Sequence, residues 1–226
     1  MTITDQVLGP LLRTDPAGPR ITHYDDAVGS RVELSGATLA NWAAKTANWL
    51  RDELDIQPGD TVAVLLPPHW QTAGVLLGAW WCGATVTASA TDAQAALCGI
   101  ADLIDAAGAD EVAAVGLDAL GMGIPTLPPG VRDYATEVRV HGDTFTAGGP
   151  GPLAEQVLAA ARARAAALEL RPGDRLLCTT GWDATVPGEV LLAVLAAGAS
   201  LVQCTGTDPA ALAHRRTVER VTTSLG

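Results

Sequence analysis

The sequence predicts a layered α/β fold with largely parallel sheets, made of two related αβαβ halves. Three observations predict it. Residues 54–86 read as one βαβ unit: a Pro58-Gly59-Asp60 turn, the apolar run Val62-Ala63-Val64-Leu65-Leu66, a break at Pro67-Pro68, an apolar helical segment, a Gly83-Ala84 stop and a second strand from Thr85. A strand apolar at every position is what a parallel sheet covered on both faces requires. The pattern then recurs. The same number of residues separates Leu39 from Asp60 and Leu153 from Asp174; each Pro-Gly-Asp precedes an apolar run, a loop with a tryptophan (Trp70, Trp182), a helix containing Val-Leu-Leu, and a Gly-Ala stop (Gly83-Ala84, Gly198-Ala199). A repeat this long and present only twice is a duplication within one α/β domain spanning residues 1–226, not a solenoid. Its halves cover about 36–140 and 151–226, joined by a Gly- and Pro-rich linker at 141–152.

In chain order, residues 4–12 form an amphipathic helix capped by Thr4 or Asp5. Residues 20–24 and 31–34 are two short strands around a turn. Ser35 caps a helix to about Leu54, with Trp42 and Trp49 seven residues apart on a core-facing side. After the βαβ unit, residues 91–107 are expected to be a helix with Leu97, Ile100, Leu103 and Ile104 inward, stopped by Gly108. Residues 111–115 form a strand, and another is expected near 137–140. The second half gives helix 153–168, strand 175–179, helix 186–197, strand 200–204 and a final helix from the Asp208 cap to about Val221.

Composition narrows the function classes. The chain has 226 residues, enough for a full core, with 48% apolar and only 4% aromatic residues, so the interior is aliphatic and alanine-rich. A net charge of −11 argues against nucleic acid and against an anionic membrane surface. The apolar segments are too short to span a bilayer, and the N-terminus lacks a signal-peptide pattern. Cys82, Cys98, Cys178 and Cys204 have no metal-ligand spacing and sit in apolar contexts, so they read as reduced core thiols of a cytoplasmic protein, and no metal site is expected. Lys45, in mid-helix, is the only lysine. Gly121-Met122-Gly123 lacks the third glycine and following helix of a dinucleotide loop and reads as a turn; there is no Gly-x-Ser-x-Gly elbow. Arg215 and Arg216 read as a solvated helix end.

The stretches 39–42, 58–67 and 83–86 together resemble the N-terminal part of the adenylate-forming enzymes, the acyl-CoA synthetases and AMP-binding ligases. Pro172-Gly173-Asp174-Arg175 and the Ala197-Gly198-Ala199-Ser200-Leu201-Val202 run are similar to a later part of the same domain. The resemblance covers about two thirds of the chain, rests on scaffold residues, and implies an acyl-CoA-synthetase-like N-terminal domain. It departs from the family where chemistry is done. The phosphate-binding loop of the family, rich in Ser, Thr and Gly and ending in Pro-Lys, corresponds to residues 142–151, which have glycines but no lysine. The acidic motif and the lysine-bearing C-terminal domain have no match, and the loop after the second-half strand has no histidine.

In open α/β sheets, ligands bind beyond the carboxyl ends of the strands. That rule selects His69 and Trp70 in the first half and Thr179, Thr180, Trp182 and Asp183 in the second as candidate cleft-lining residues. If the halves pack as the family implies, His69 and Asp183 would form an acid/base pair; the simpler reading, which the sequence favours, is two polar loops with no joint role. Three functions follow: a non-catalytic, degenerate relative of the adenylating enzymes acting as a binding or regulatory module; a partial ligase that binds nucleotide or an acyl group and is completed by a partner; or an unrelated small-molecule enzyme using the cleft. The first is favoured. It assigns no catalytic residue, requires no cofactor while leaving ATP or AMP open as ligands, and has a protein partner or a small acyl or nucleotide ligand as its binding target.

Overall fold

A computed structural model of the chain describes residues 1–182, 188–206 and 208–226. Helix α1 (Ile3–Thr14) is followed by a hairpin of β1 (Pro19–Asp25) and β2 (Ser30–Ser35). The first half then runs α2 (Gly36–Leu54), β3 (Thr61–Leu65), α3 (Trp70–Cys82), β4 (Thr85–Thr87), β5 (Ala95–Cys98), a 3-10 turn, α4 (Leu103–Ala106), β6 (Glu111–Ala114), β7 (Val131–Asp133) and α5 (Tyr134–Val138). The second half adds α6 (Ala154–Ala167), β8 (Arg175–Cys178), α7 (Glu189–Ala196), β9 (Ser200–Thr205), α8 (Pro209–Val218) and β10 (Thr223–Leu225).

Two five-stranded sheets result, with orders β10-β8-β9-β1-β2 and β4-β3-β5-β6-β7, and every pairing is parallel except β1 with β2. The halves are equivalent strand by strand: β4-β3-β5 in one corresponds to β9-β8-β10 in the other. The repeated motifs make the same hydrogen bonds. Gln57 N–H and Arg171 N–H each donate to the carboxylate of the following Asp60 or Asp174, at 2.7 Å in both cases. Gly59 N–H donates to Gly83 O and Gly173 N–H to Gly198 O, both at 3.0 Å. Gly59 and Gly173 have φ of 102° and 87°, a region open to glycine at little cost, which is why the turn reads Pro-Gly-Asp twice. The Gly-Ala stops are Schellman-type ends, with Ala84 N–H on Ala79 O and Ala199 N–H on Val194 O.

The period-2 alternation of each strand divides its side chains between cores. Val62, Val64, Ala95 and Leu97 of one sheet and Ile21, Leu176, Cys178 and Leu201 of the other face a central core that also holds α1, α2, α3, α6 and α7. The alternate residues Ala63, Ala96 and Cys98 pack with Ala106 of α4, and Leu177, Val202 and Cys204 pack with Leu212 of α8. The layers are therefore helix, sheet, helices, sheet, helix. In the middle, α3 is buried along its whole length except at Trp81. All four cysteines are buried and none is in a disulfide.

Five expectations need correction. The α1 cap is Thr2, not Thr4 or Asp5: Thr2 Oγ1 accepts from Asp5 N–H while the Asp5 carboxylate accepts from Thr2 N–H, a reciprocal capping box. Residues 91–107 are not one helix. Ala95–Cys98 is a strand paired on both sides, and Gln94 locks its start by accepting from Thr61 N–H through its side chain and donating to Thr61 O from its backbone. Alanine-rich sequence suggested helix, but sheet pairing overrode propensity; Ile100 and Ile104 are exposed rather than inward. Near 137–140 there is no strand: Asp133 caps α5, accepting from Ala135 N–H. The last helix ends at Val218, Arg220 turns the chain at φ 51°, and β10 follows. Arg215 is not solvated; it forms a bidentate ion pair with Asp26 and stacks over the Tyr24 ring.

Helices α2 and α3 pack tightly against each other. A Cβ on Gly78 would lie 2.5 Å from Thr46 Cβ and 3.0 Å from Ala43 O. Gly78→Ala is expected to lower unfolding free energy by about 1–3 kcal/mol despite the better helix propensity of alanine, because overpacking outweighs it; chemical denaturation checks this.

Candidate functional site

The carboxyl ends of β3, β1, β8 and β9 converge where the two sheets face each other across the helix layer. On the first-half side, Pro67 and Pro68 break the chain after β3, and His69 caps α3: its backbone is extended and its Nδ1 accepts from Gln71 N–H at 3.1 Å. On the other sheet, His23 follows Ile21 by two positions and so shares its inward face. The His23 and His69 rings meet edge-on with centroids 4.5 Å apart. His23 Nε2 lies 3.0 Å from Thr205 Oγ1, whose proton is directed to Tyr24 O.

The backbone N–H of Gln71 fixes the tautomer of neutral His69. His69 Nδ1 is an acceptor, so its Nε2 carries the hydrogen. Both rings are neutral: burial lowers the pKa of His69 to about 3, helped by His23, and burial also lowers that of His23 against the pull of Asp25.

The second-half loop is held by Gln203, which is buried on the inward face of β9. Its Oε1 accepts from Trp182 Nε1 and its Nε2 donates to Thr180 O, both at 3.1 Å. Two clefts open here and share Pro67. The larger, about 400 Å³, is lined by Val64, Leu65, Leu66, Leu76 and Trp182, with the carboxylates of Asp102 and Asp105 among its walls. The smaller, about 210 Å³, is lined by His23, His69, Asp25, Leu117 and Thr205.

Of the residues selected from sequence, Trp182 thus lines the larger cleft and His69 the smaller. Trp70 turns into the helix layer, its ring edge-on to Trp42 at 5.2 Å. Thr179 N–H pairs with Leu225 O, extending the strand ladder, and Thr180 is exposed. Asp183 lies outside the described residues. His23 and Gln203 escaped the sequence reading; the signal available was a polar residue at an inward position near the end of an otherwise apolar strand. Asp102 and Asp105 were hidden by the helix expected over 91–107.

The lysine and the glycine-rich segment are placed elsewhere. Lys45 Nζ donates to His141 O (2.6 Å) and Arg139 O (3.3 Å) and pairs with Asp143 at 2.9 Å. Asn48 binds the carbonyls of Gly142 and Thr144, and Phe145 packs on Trp81 and under the Arg51 guanidinium. At Gly83 a Cβ would lie 2.7 Å from Gly149 O. Residues 142–151 are therefore laid against α2 and the end of α3. Among the described residues, no group of three His, Cys, Asp or Glu is placed to hold a metal ion, and no helix is long and apolar enough to cross a membrane.

Two facing sheets around a helix layer, with the sites at the strand ends, define the class. The fold is that of acyl-CoA synthetase N-terminal domains. An acyl-CoA synthetase of Brucella canis superposes with a TM-score of 0.78 at 18% identity over 99% of this chain and 47% of that one. The N-terminal domain of FACL13 from Mycobacterium tuberculosis does so with a TM-score of 0.70 at 19% identity, over 99% of this chain and 62% of that one. The chain thus spans about half the length of the synthetase structure. In sequence, the AMP-binding enzyme family matches residues 16–113. A "TIGR03089 family protein" of Mycobacterium tuberculosis (strain ATCC 25618 / H37Rv) is 51% identical over 240 residues, covering 99% of this chain and 98% of that protein. The chain belongs to that family.

The neutral His69 has a pH signature. Unfolded, it takes a proton near pH 6.5; folded, it resists until about 3. The unfolded state binds more protons in between, so the stability present above pH 6.5 falls as pH drops, by about 1.4 kcal/mol per unit for a full proton. His69→Asn keeps a capping acceptor and removes the titration, so its denaturation midpoint is expected to fall less steeply from pH 6.5 to about 5 than that of the unmodified protein.

Proposed function

We propose that this chain is a non-catalytic, cytoplasmic member of the AMP-binding fold that works as a binding module. It takes a small apolar ligand in the cleft of Leu65, Leu66, Leu76 and Trp182 and needs neither ATP nor metal. The observation that carries this reading is the use made of Lys45. The one lysine is tied to two backbone carbonyls and a carboxylate beside residues 142–151, and those residues serve as packing against α2 and α3.

The chemistry at the clefts supports the same reading. Neutral His69, held to a pKa of about 3, is a poor base at neutral pH. Burial pushes the Cys82 and Cys98 thiols up to about 12 and 11, away from the reactive thiolate. The larger cleft is instead suited to aliphatic surface. The carboxylates of Asp102 and Asp105 repel an anionic head group, so the ligand is a neutral aliphatic molecule rather than a free acid.

Calorimetric titration tests this. ATP with Mg²⁺ and AMP are expected to give no heat at high micromolar concentration, whereas 1-hexanol gives a saturable signal that Leu76→Trp, by filling the cleft, removes. Saturable heat from ATP with Mg²⁺, together with an acyl-AMP product when a fatty acid is added, would establish an adenylating enzyme instead.

A further inference from the structure

Gln203 is a polar side chain in the middle strand of its sheet. It lies on the face that carries Ile21, Leu176 and Leu201 into the central core, and it is 1% exposed. Its register neighbours are His23 on β1 and Cys178 on β8. Burying an amide in an aliphatic interior costs free energy unless its donor and acceptor are both used. Here both are used on one short loop. Oε1 accepts from Trp182 Nε1 and Nε2 donates to Thr180 O, each at 3.1 Å. An indole N–H only donates and a backbone oxygen only accepts, so the two partners fix which end of the amide is which. Cys178 Sγ, 3.6 Å from the same Thr180 O, closes the clamp from the neighbouring strand.

We infer that Gln203 is a positioning residue for the apolar cleft: it acts through Trp182, holding the indole as a fixed part of the wall that Val64, Leu65, Leu66 and Leu76 also form. The inference rests on the reading of that cleft as a site for an aliphatic ligand. Trp182 lines the cleft and Gln203 does not. The Thr180 bond by itself would pin the backbone of the loop. The Trp182 bond adds the orientation of the ring, which no backbone bond sets. The ring is half-buried and packs on the central core, so the amide holds it at the boundary between core and cleft.

A wall already held in place need not be ordered when a ligand arrives. Ordering one large side chain on binding lowers affinity by about three- to tenfold. A ligand of the cleft therefore binds less tightly without the Gln203 amide, although its contacts with the aliphatic side chains are untouched. The inward position also accounts for the residue type. A leucine there would fill the core row but leave Trp182 Nε1 and Thr180 O without the amide that pairs them.

The test is indole ¹⁵N–¹H NMR of the full chain, together with calorimetric titration of 1-hexanol. The chain has six tryptophans, and the signal missing from Trp182→Phe identifies the Trp182 N–H. In the unmodified protein that N–H is expected to exchange slowly with water and to shift as hexanol is added. In Gln203→Leu it exchanges faster, and the Kd for hexanol rises by about three- to tenfold. In the Trp182→Phe background Gln203→Leu adds a smaller loss, because the bond to the indole is already gone; this coupling separates positioning from a general effect on the fold. Trp182→Phe leaves β9 intact and carries the test from the loop side if Gln203→Leu does not fold: its own Kd for hexanol also rises. Three results would overturn the positioning role alone: a hexanol Kd unchanged in either variant, an indole N–H that exchanges no faster in Gln203→Leu, or equal losses in both backgrounds. No hexanol binding by the unmodified protein, with the Trp182 N–H still protected, would overturn the reading of the cleft and this inference with it.

Discussion

The burial of α3 on every side is the constraint from which the rest of the molecule follows. A helix with water on one face needs one apolar stripe; a helix between two sheets and two neighbouring helices needs apolar or small residues all round. That is why the segment reads Ala73-Gly74-Val75-Leu76-Leu77-Gly78-Ala79. Gly74 and Gly78 let α2 approach, one against Trp42 and the other against Thr46. Several polar groups on and against α3 are tied, although Trp70 Nε1 and the Gln71 side-chain amide have no partner. Thr72 Oγ1 donates to Pro67 O, Trp81 Nε1 to Asp5, and Thr4 Oγ1 reaches Leu77 O from α1. The two ends of α3 then set the two landmarks of the first half, with the Gly83 stop bonded to the Pro-Gly-Asp turn and the His69 cap presented to the opposite sheet.

Much of this was legible in the residues because it is local. The Pro-Gly-Asp turns and Gly-Ala stops are backbone conformations with few alternatives, so their recurrence revealed the duplication and, with it, which strands are equivalent. Where the structure departed from the reading, a non-local partner decided. Ala95-Ala96-Leu97-Cys98 has the composition of a helix, and only the strands on either side of it make it β5. Arg215 looked like a solvated helix end because Asp26, its partner, is far away in sequence. The candidate site divides the same way. His69 was found from its place after a strand, whereas His23 became visible only once β1 was seen to pair beside β9 and to face α3.

The molecule has the fold of acyl-CoA synthetase N-terminal domains, and in the proposed reading its lysine and histidines serve that fold. Lys45 holds the Arg139 and His141 carbonyls, residues 142–151 brace α2 and α3, and burial keeps His23 and His69 neutral. What the strand ends retain is shape: an apolar cleft and a small polar cavity meeting at Pro67. Shape and fixed hydrogen-bonding groups suffice for recognition, whereas adenylation would also need charge placed to stabilise a transferring phosphoryl oxygen.

The most direct test of this account is isotope exchange between labelled pyrophosphate and ATP, with Mg²⁺ and a mixture of carboxylic acids, in the unmodified protein and in Lys45→Ala. The account predicts exchange equal to a protein-free blank in both. Exchange above the blank that disappears in Lys45→Ala would contradict it, because the lysine assigned here to packing would then be acting on phosphate.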